Sequence, residues 1–259
     1  MQQYLKSVPS EIFKTIKNPS RLGKVFNKSE FHAWRRSFLP ENQKEWKDSS
    51  WTQWEEEENS FKIRQYENYE HYVRHQKSKL ERFMVTNNAW IKNYDKVYYE
   101  VLKERLKPHI QKRMSVLCLA ARLGTEVRSF IDLGCFAVGI DLNPGQENKY
   151  VVVGDFHHLQ YADESIDLVF TNSFDHALMP NKIISEVKRV LQPNGRFIIE
   201  IALGLQQGTD PGDYESFFWN QIEDIVELVE QHDFKVAYTE TIKKPFNGGK
   251  FMIFQKVSE

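Results

Sequence analysis

Phe234–Val257 reads FKVAYTETIKKPFNGGKFMIFQKV: two runs rich in β-branched and aromatic residues, FKVAYTETI (234–242) and KFMIFQKV (250–257), separated by only seven residues. A connection this short cannot hold the crossover that parallel neighbours need, so the two runs must pair antiparallel. Upstream the text has a different rhythm. VLCLA (116–120), FAVGIDL (136–142), YVVVGDF (150–156), IDLVFTN (166–172) and RFIIEIA (196–202) read as strands, and GTEVRSFIDLG (124–134), KIISEVKRVL (182–191) and FFWNQIEDIVELVEQH (217–232) as helices. QPNG (192–195) reads as the turn before the fifth strand. Strands that alternate with helices predict a parallel sheet covered on both faces. The expected fold is therefore α/β: a doubly wound, Rossmann-like seven-stranded sheet with a terminal antiparallel hairpin at one edge.

The 259 residues suffice for one large domain with an extension, or for two small ones, and 41% hydrophobic with 27% charged residues is an ordinary globular balance. The N-terminal MQQYLKSVPSEIFKTIK has no apolar core of the kind a signal peptide carries, and no apolar run approaches the ~20 residues of a membrane span. Cys118 and Cys135 are the only cysteines and both fall in apolar strand-like runs, so a disulfide framework or a zinc site is disfavoured and a cytoplasmic setting is expected.

The net charge of -1 conceals an asymmetry. Residues 1–113 hold 23 Lys and Arg against 15 Asp and Glu, whereas residues 114–259 hold 12 against 21. The hydrophobic pattern changes at the same place, near Met114, which divides the chain into a mainly helical, aromatic-rich extension (1–113) and an α/β domain (114–259). The basic half either meets an anionic ligand or forms a solvated face that docks on the acidic half. Within it, Trp34, Trp46 and Trp51 are dense enough to require a packing partner. Thr52 with Glu55 fits a capping box, followed by the acidic run Glu55–Glu58 and later by Arg74, Lys77, Lys79 and Arg82, so a helix is expected from Thr52 to Phe83. A second is expected from Asn88 to Lys107, ended by Pro108.

Four landmarks in the α/β half carry chemistry through their order. VLCLAARLGTE (116–126) is a strand breaking into a turn. AVGIDLNPG follows, with Asp141 at the end of the second strand about 20 residues on, where an acid can accept from both hydroxyls of a ribose. VVVGDF places Asp155 and Phe156 after the third strand, and LQPNGRFIIE leads into the fifth. With the closing hairpin, this order resembles the class I S-adenosylmethionine-dependent methyltransferases, over roughly Met114–Ser258, and within them the methyltransferase type 11-like domains.

The resemblance implies S-adenosyl-L-methionine as cofactor. It places Ala120, Arg122 and Gly124 in the cofactor loop, Asp141 and Leu142 at the ribose, Asp155 at the adenine amino group with Phe156 against the ring, and Asn172 beyond the fourth strand. Tyr69, Tyr72 and Gln76, three and four apart, share one helix face; the resemblance implies that Tyr72 and Gln76 join as a lid, whereas a core-packing stripe explains the same spacing and is the reading for Tyr69. Asp167, opening the fourth strand, is read as structural.

The loop departs from the family. Cys118 stands where an acid is usual, Ala120 and Arg122 where glycines are usual, and only Gly124 is retained. Alanine is compatible with such a loop at negative φ; arginine at the apex blocks the close approach that glycine allows. Arg122 then either grips the cofactor's carboxylate through its guanidinium or points to solvent.

Such enzymes align a nucleophile with the sulfonium methyl and need a base only when that nucleophile arrives protonated. His176 in TNSFDHALMP is the candidate base, with Asp175 beside it; the alternative is a packing histidine. His157 and His158 lack ligand-spaced partners, so no metal is expected. The segment also lacks the Asn/Asp-Pro-Pro-aromatic signature of base N-methylation. The leading expectation is an enzyme methylating a small molecule, such as an oxygen of a saccharide, with nucleic acid disfavoured and no membrane association. Two others stand beside it: an RNA methyltransferase using the basic half, and an inactive methyltransferase-like binding protein.

Overall fold

The computed structural model describes residues 54–57, 61–86, 88–244 and 248–257. Trp34, Trp46 and Trp51, with the packing expected of them, and Thr52 lie outside the described residues. Residues 53–259 form one compact unit.

Within it the elements run β1 (Trp54–Glu57), β2 (Phe61–Arg64), α1 (Tyr69–Thr86), α2 (Asn88–Leu106), β3 (Ser115–Leu119), α3 (Thr125–Asp132), β4 (Phe136–Asp141), β5 (Val151–Val153), β6 (Ile166–Thr171), α4 (Pro180–Val190), β7 (Leu191–Ile201), β8 (Phe217–Trp219), α5 (Ile222–Glu230), β9 (Phe234–Ile242) and β10 (Gly249–Lys256). The main sheet has seven strands in the order β5-β4-β3-β6-β7-β10-β9. β3 to β7 pair in parallel, while β10 is antiparallel to both β7 and β9. The seven-stranded α/β sheet and its closing hairpin are thus those the sequence predicts.

Apolar side chains cover both faces of the sheet. One face packs Tyr98, Leu102 and Leu106 of α2 with Val127 and Phe130 of α3 over Cys118, Phe170 and Ile198. The other packs Ile183, Ile184 and Val187 of α4 with Ile225 and Val229 of α5 over Leu117, Val169 and Phe197, and Tyr72 of α1 enters that side. Both cysteines are buried free thiols. No helix among the described residues is long and apolar enough to cross a membrane.

The helix expected from Thr52 is replaced by structure of another kind. WEEE (54–57) is strand β1, antiparallel to β2, and β2 pairs with β8 to give a separate three-stranded sheet. The helix starts only at Tyr69, where Asn68 caps it by accepting the His71 N–H at 2.9 Å. The acidic run suits a helix start locally, but alternation around Phe61 and Ile63 matches the edge that Phe217–Trp219 offers, and pairing wins.

That pairing also corrects the other end. FFW (217–219), expected to open a helix, is β8, and α5 begins after Gln221, where the Asp224 carboxylate accepts the N–H groups of Asn220 and Gln221 at 3.0 and 2.8 Å. QPNG (192–195) is likewise no separate turn. It stays within β7, with Asn194 at φ 62° and a register shift against β6 between Ile166 and Leu168.

Candidate functional site

Because β3, β4, β5 and β6 are parallel, their carboxyl ends share one edge of the sheet. The order reverses between β3 and β6, so the connections leaving these two strands diverge to opposite sides and open a crevice, the usual ligand position in doubly wound folds. Ala120–Gly124 leaves β3 there, Asp141 ends β4, Asp155 follows β5 and Asn172 follows β6.

The loop after β3 takes a left-handed course despite having lost two glycines. Ala120 sits at φ 50°, Arg122 at 39° and Gly124 at 77°. Ala120 thus does not meet the condition of negative φ under which alanine is unstrained: the turn geometry is imposed by what surrounds it, and each non-glycine residue there carries about 1 kcal/mol of backbone strain. Ala121 N–H donates to Ile140 O at 3.0 Å, Arg122 N–H to Asp141 Oδ2 at 2.9 Å, and Asn148 Nδ2 to Arg122 O at 2.9 Å. Gly139 of β4 permits this closeness, since a Cβ there would lie 2.7 Å from Ala121 Cβ. At Gly124 a Cβ would lie 2.8 Å from Tyr150 Cβ, so glycine is required by space as well as by φ.

Asp141 accepts at both oxygens, from Arg122 N–H and from Asn143 N–H at 2.7 Å, which fixes the carboxylate at the crevice edge. Leu142 packs half-buried on the core behind it. Asp155 is also held: Tyr69 Oη donates to Oδ2, and His157 donates to Oδ1 from its backbone N at 2.9 Å and its Nδ1 at 3.0 Å. Burial alone would raise the Asp155 pKa, but the bonds from His157 and Tyr69 outweigh it and hold the carboxyl below its usual value. His157 Nε2 in turn accepts from Leu178 and Met179 N–H, both at 3.2 Å, so the ring carries its proton on Nδ1. Phe156 is buried and meets His157 edge-on at 4.7 Å.

Among the described side chains of α1, Tyr69, and neither Tyr72 nor Gln76, hydrogen-bonds an acid of the crevice. Tyr72 is fully buried and donates to His176 O at 3.0 Å. Gln76 Nε2 donates to Tyr214 O at 2.8 Å and Ser216 Oγ at 3.0 Å. Both tie α1 to the segments after β6 and before β8.

His176 lies in a buried cluster there. Its Nδ1–H donates to Tyr214 O at 2.8 Å, leaving Nε2 to accept from Lys79 Nζ at 2.6 Å. Burial and the neighbouring Lys79 hold the imidazole well below its ordinary pKa, and burial lowers that of Lys79. Burial, reinforced by Glu215, pushes Asp175 up to about 7. Asp175, His176 and Glu215 bring ligand atoms within 4.8 Å of one another, an arrangement suited to a cation, and the Lys79 ammonium lies against it.

A second buried network ends at the loop. Asn172 Nδ2 donates to Glu126 Oε1 at 3.0 Å and to Tyr98 Oη at 2.8 Å, and Tyr98 donates to Glu200 Oε2 at 2.7 Å. Glu200 is paired with Arg105. Burial pushes Glu126 up to about 7. The sequence sets Tyr69 on one helix face with Tyr72 and Gln76 without singling it out, and it gives no sign of a site role for Lys79; Glu126 was missed as well. Glu126 alone had a visible signal, an acid eight residues beyond the loop position where Cys118 replaces one. Asp167 is structural as expected, accepting Ser115 N–H and Oγ–H at 2.7 Å each.

Comparison with known proteins agrees with this geometry. Residues 117–199 match the model of the methyltransferase domain family. A curated relative, malonyl-[acyl-carrier protein] O-methyltransferase of Methylococcus capsulatus, is 46% identical over 54 residues, and that match spans 20% of either chain. Among solved structures, 1,6-didemethyltoxoflavin-N1-methyltransferase of Burkholderia thailandensis, determined with 1,6-didemethyltoxoflavin and S-adenosylhomocysteine, superposes with a TM-score of 0.59 at 15% identity, over 80% of this chain and all of that one. A chain from the complex between the Haloferax volcanii Trm112 methyltransferase activator and a methyltransferase gives 0.55 at 14% identity, over 71% of this chain and 98% of that one. The strand order, the crevice and these likenesses define the class: a Rossmann-like methyltransferase fold of class I. More narrowly, the stretch that matches the methyltransferase domain family's model, residues 117–199, runs from β3 into β7 and so holds the crevice.

Proposed function

We propose that this chain is an S-adenosylmethionine-dependent methyltransferase acting on an oxygen of a small molecule such as a saccharide. The observation that carries the reading is the convergence of the left-handed loop 120–124, Asp141 and Asp155 on one crevice at the reversal of the sheet. The residues fit the cofactor chemically. Each Asp141 oxygen takes one backbone N–H and keeps a lone pair for a ribose hydroxyl. Asp155 likewise retains acceptor capacity for an adenine amino group, with Phe156 beside it and Leu142 behind the ribose position. Arg122, at the loop apex, is assigned to the cofactor's carboxylate.

S-adenosylmethionine supplies an electrophilic methyl on a sulfonium, so the chain's own work is alignment, desolvation and proton handling. Asn172 and the segment to His176 form the acceptor side. A hydroxyl acceptor must lose its proton as the new bond forms; His176 Nε2 is the unprotonated nitrogen there, and Lys79, which donates to it, is the group that must yield that lone pair. The match to a malonyl-[acyl-carrier protein] O-methyltransferase supports oxygen as the accepting atom.

Calorimetry with S-adenosylhomocysteine tests the cofactor assignment, and absence of binding would overturn it. Arg122→Ala is expected to weaken that binding about 10-fold, the scale of one charge-assisted hydrogen bond; unchanged affinity would remove Arg122 from the site.

A further inference from the structure

We infer that the carboxylate of Glu126 is the counter-ion for the α-ammonium group of an amino-acid-bearing ligand in the crevice. The inference deepens the cofactor reading above and rests on it: S-adenosylmethionine and S-adenosylhomocysteine both carry such an ammonium.

Three observations carry it. Glu126 is 8% exposed, in the first turn of α3 directly behind the loop, yet its Oε2 is buried with no hydrogen-bond partner among the described residues. Its other oxygen is held at 3.0 Å by Asn172 at the carboxyl end of β6, so the side chain joins the first turn of α3 to a strand end that borders the crevice. Asn172 is itself oriented by Tyr98, so the contact to Glu126 is fixed from behind.

A buried acceptor without a partner costs about 1–3 kcal/mol, more when charged, and is expected to be matched by something. The groups acting on Glu126 from the surrounding elements are Arg122 of the loop, Asn172 after β6, Asp95 of α2 and the Cys118 thiol of β3. Arg122 is the cation among them, and in the reading above it is committed to a carboxylate. Arg122 and Glu126 then present opposite charges four residues apart, the complement of an amino-acid zwitterion.

Burial holds the free Glu126 carboxyl near pH 7, so a bound ammonium must draw off its proton. Affinity for an ammonium ligand is therefore expected to rise from about pH 6 to pH 8.

The test is calorimetry of the full chain and its Glu126→Gln and Glu126→Asp variants, with S-adenosylhomocysteine and with 5′-methylthioadenosine, which shares the adenosine and thioether but has no amino-acid group. Glu126→Gln is expected to weaken S-adenosylhomocysteine about 10- to 100-fold, to leave 5′-methylthioadenosine unchanged, and to flatten the pH dependence; Glu126→Asp is expected to keep part of the affinity. Wild-type affinity for S-adenosylhomocysteine in the glutamine variant, or equal losses for both ligands, would overturn the assignment while leaving the cofactor reading in place. If the unmodified chain bound neither ligand, the cofactor reading would fall first and this inference with it.

Discussion

At the scale of single residues, the crevice keeps features that cost stability. Glu126 has a folded pKa of about 7 against an ordinary 4.5. The folded state thus holds this proton more tightly than the unfolded chain, and the stability so contributed is full below pH 4.5 and lost as pH rises through 7. Glu126→Gln is accordingly expected to stabilise the ligand-free protein at pH 8 by up to about 3 kcal/mol, and to matter little at pH 4. Denaturant unfolding at the two pH values checks this; equal effects at both would refute it. Ala120 is a second such residue. At φ 50° it sits where glycine rests without strain, so Ala120→Gly is expected to raise stability by about 0.5–1 kcal/mol. An unchanged or lower denaturation midpoint would mean that the Ala120 methyl contributes packing larger than the strain.

At the scale of elements, α2 is fastened to the sheet by charge as well as by its apolar face. Arg105 pairs with Glu200 of β7 and, at 2.9 Å, with Glu240 of β9, and both Arg105 and Glu200 are 6% exposed in their side chains. Removing only Arg105, as in Arg105→Ala, leaves a buried carboxylate uncompensated and is expected to cost about 3–5 kcal/mol, whereas Arg105→Met with Glu200→Gln is expected to restore most of it. Denaturation of the single and double variants distinguishes the two. The second fastening is the small sheet. Buried Arg64 ends β2 and donates to Glu215 O at 2.7 Å and Gly212 O at 2.8 Å, so the strand absent from the sequence reading orders the segment bearing Tyr214 and Ser216, to which His176 and Gln76 bind. WEEE was unreadable as a strand because β2, on which it pairs, takes its own partner from β8, far along the chain, and a capping signal is local.

At the scale of the whole molecule, α1 closes one side of the sheet by joining Asp155 through Tyr69, and the cluster around His176 through Tyr72, Gln76 and Lys79. His176→Ala removes the partner of Lys79 and of the Tyr214 carbonyl together. It is expected to lower methyl transfer at least about 10-fold with S-adenosylhomocysteine affinity retained, and calorimetry beside turnover checks that split. Saturating S-adenosylhomocysteine at about 100 times its Kd is expected to stabilise the fold by about 2.7 kcal/mol, read as a rise in Tm.

The seven-stranded sheet, its antiparallel close and the positions of Asp141 and Asp155 were legible because they follow from residue periodicity, connection length and order along the chain, all properties of neighbouring residues. The sign of φ at Ala120, the pairing of Trp54–Glu57, the tyrosine that reaches Asp155 and the burial of Glu126 beside Asn172 were not. Each depends on groups brought together from distant parts of the chain, where packing overrides local preference, and only the tertiary structure decides which partner arrives.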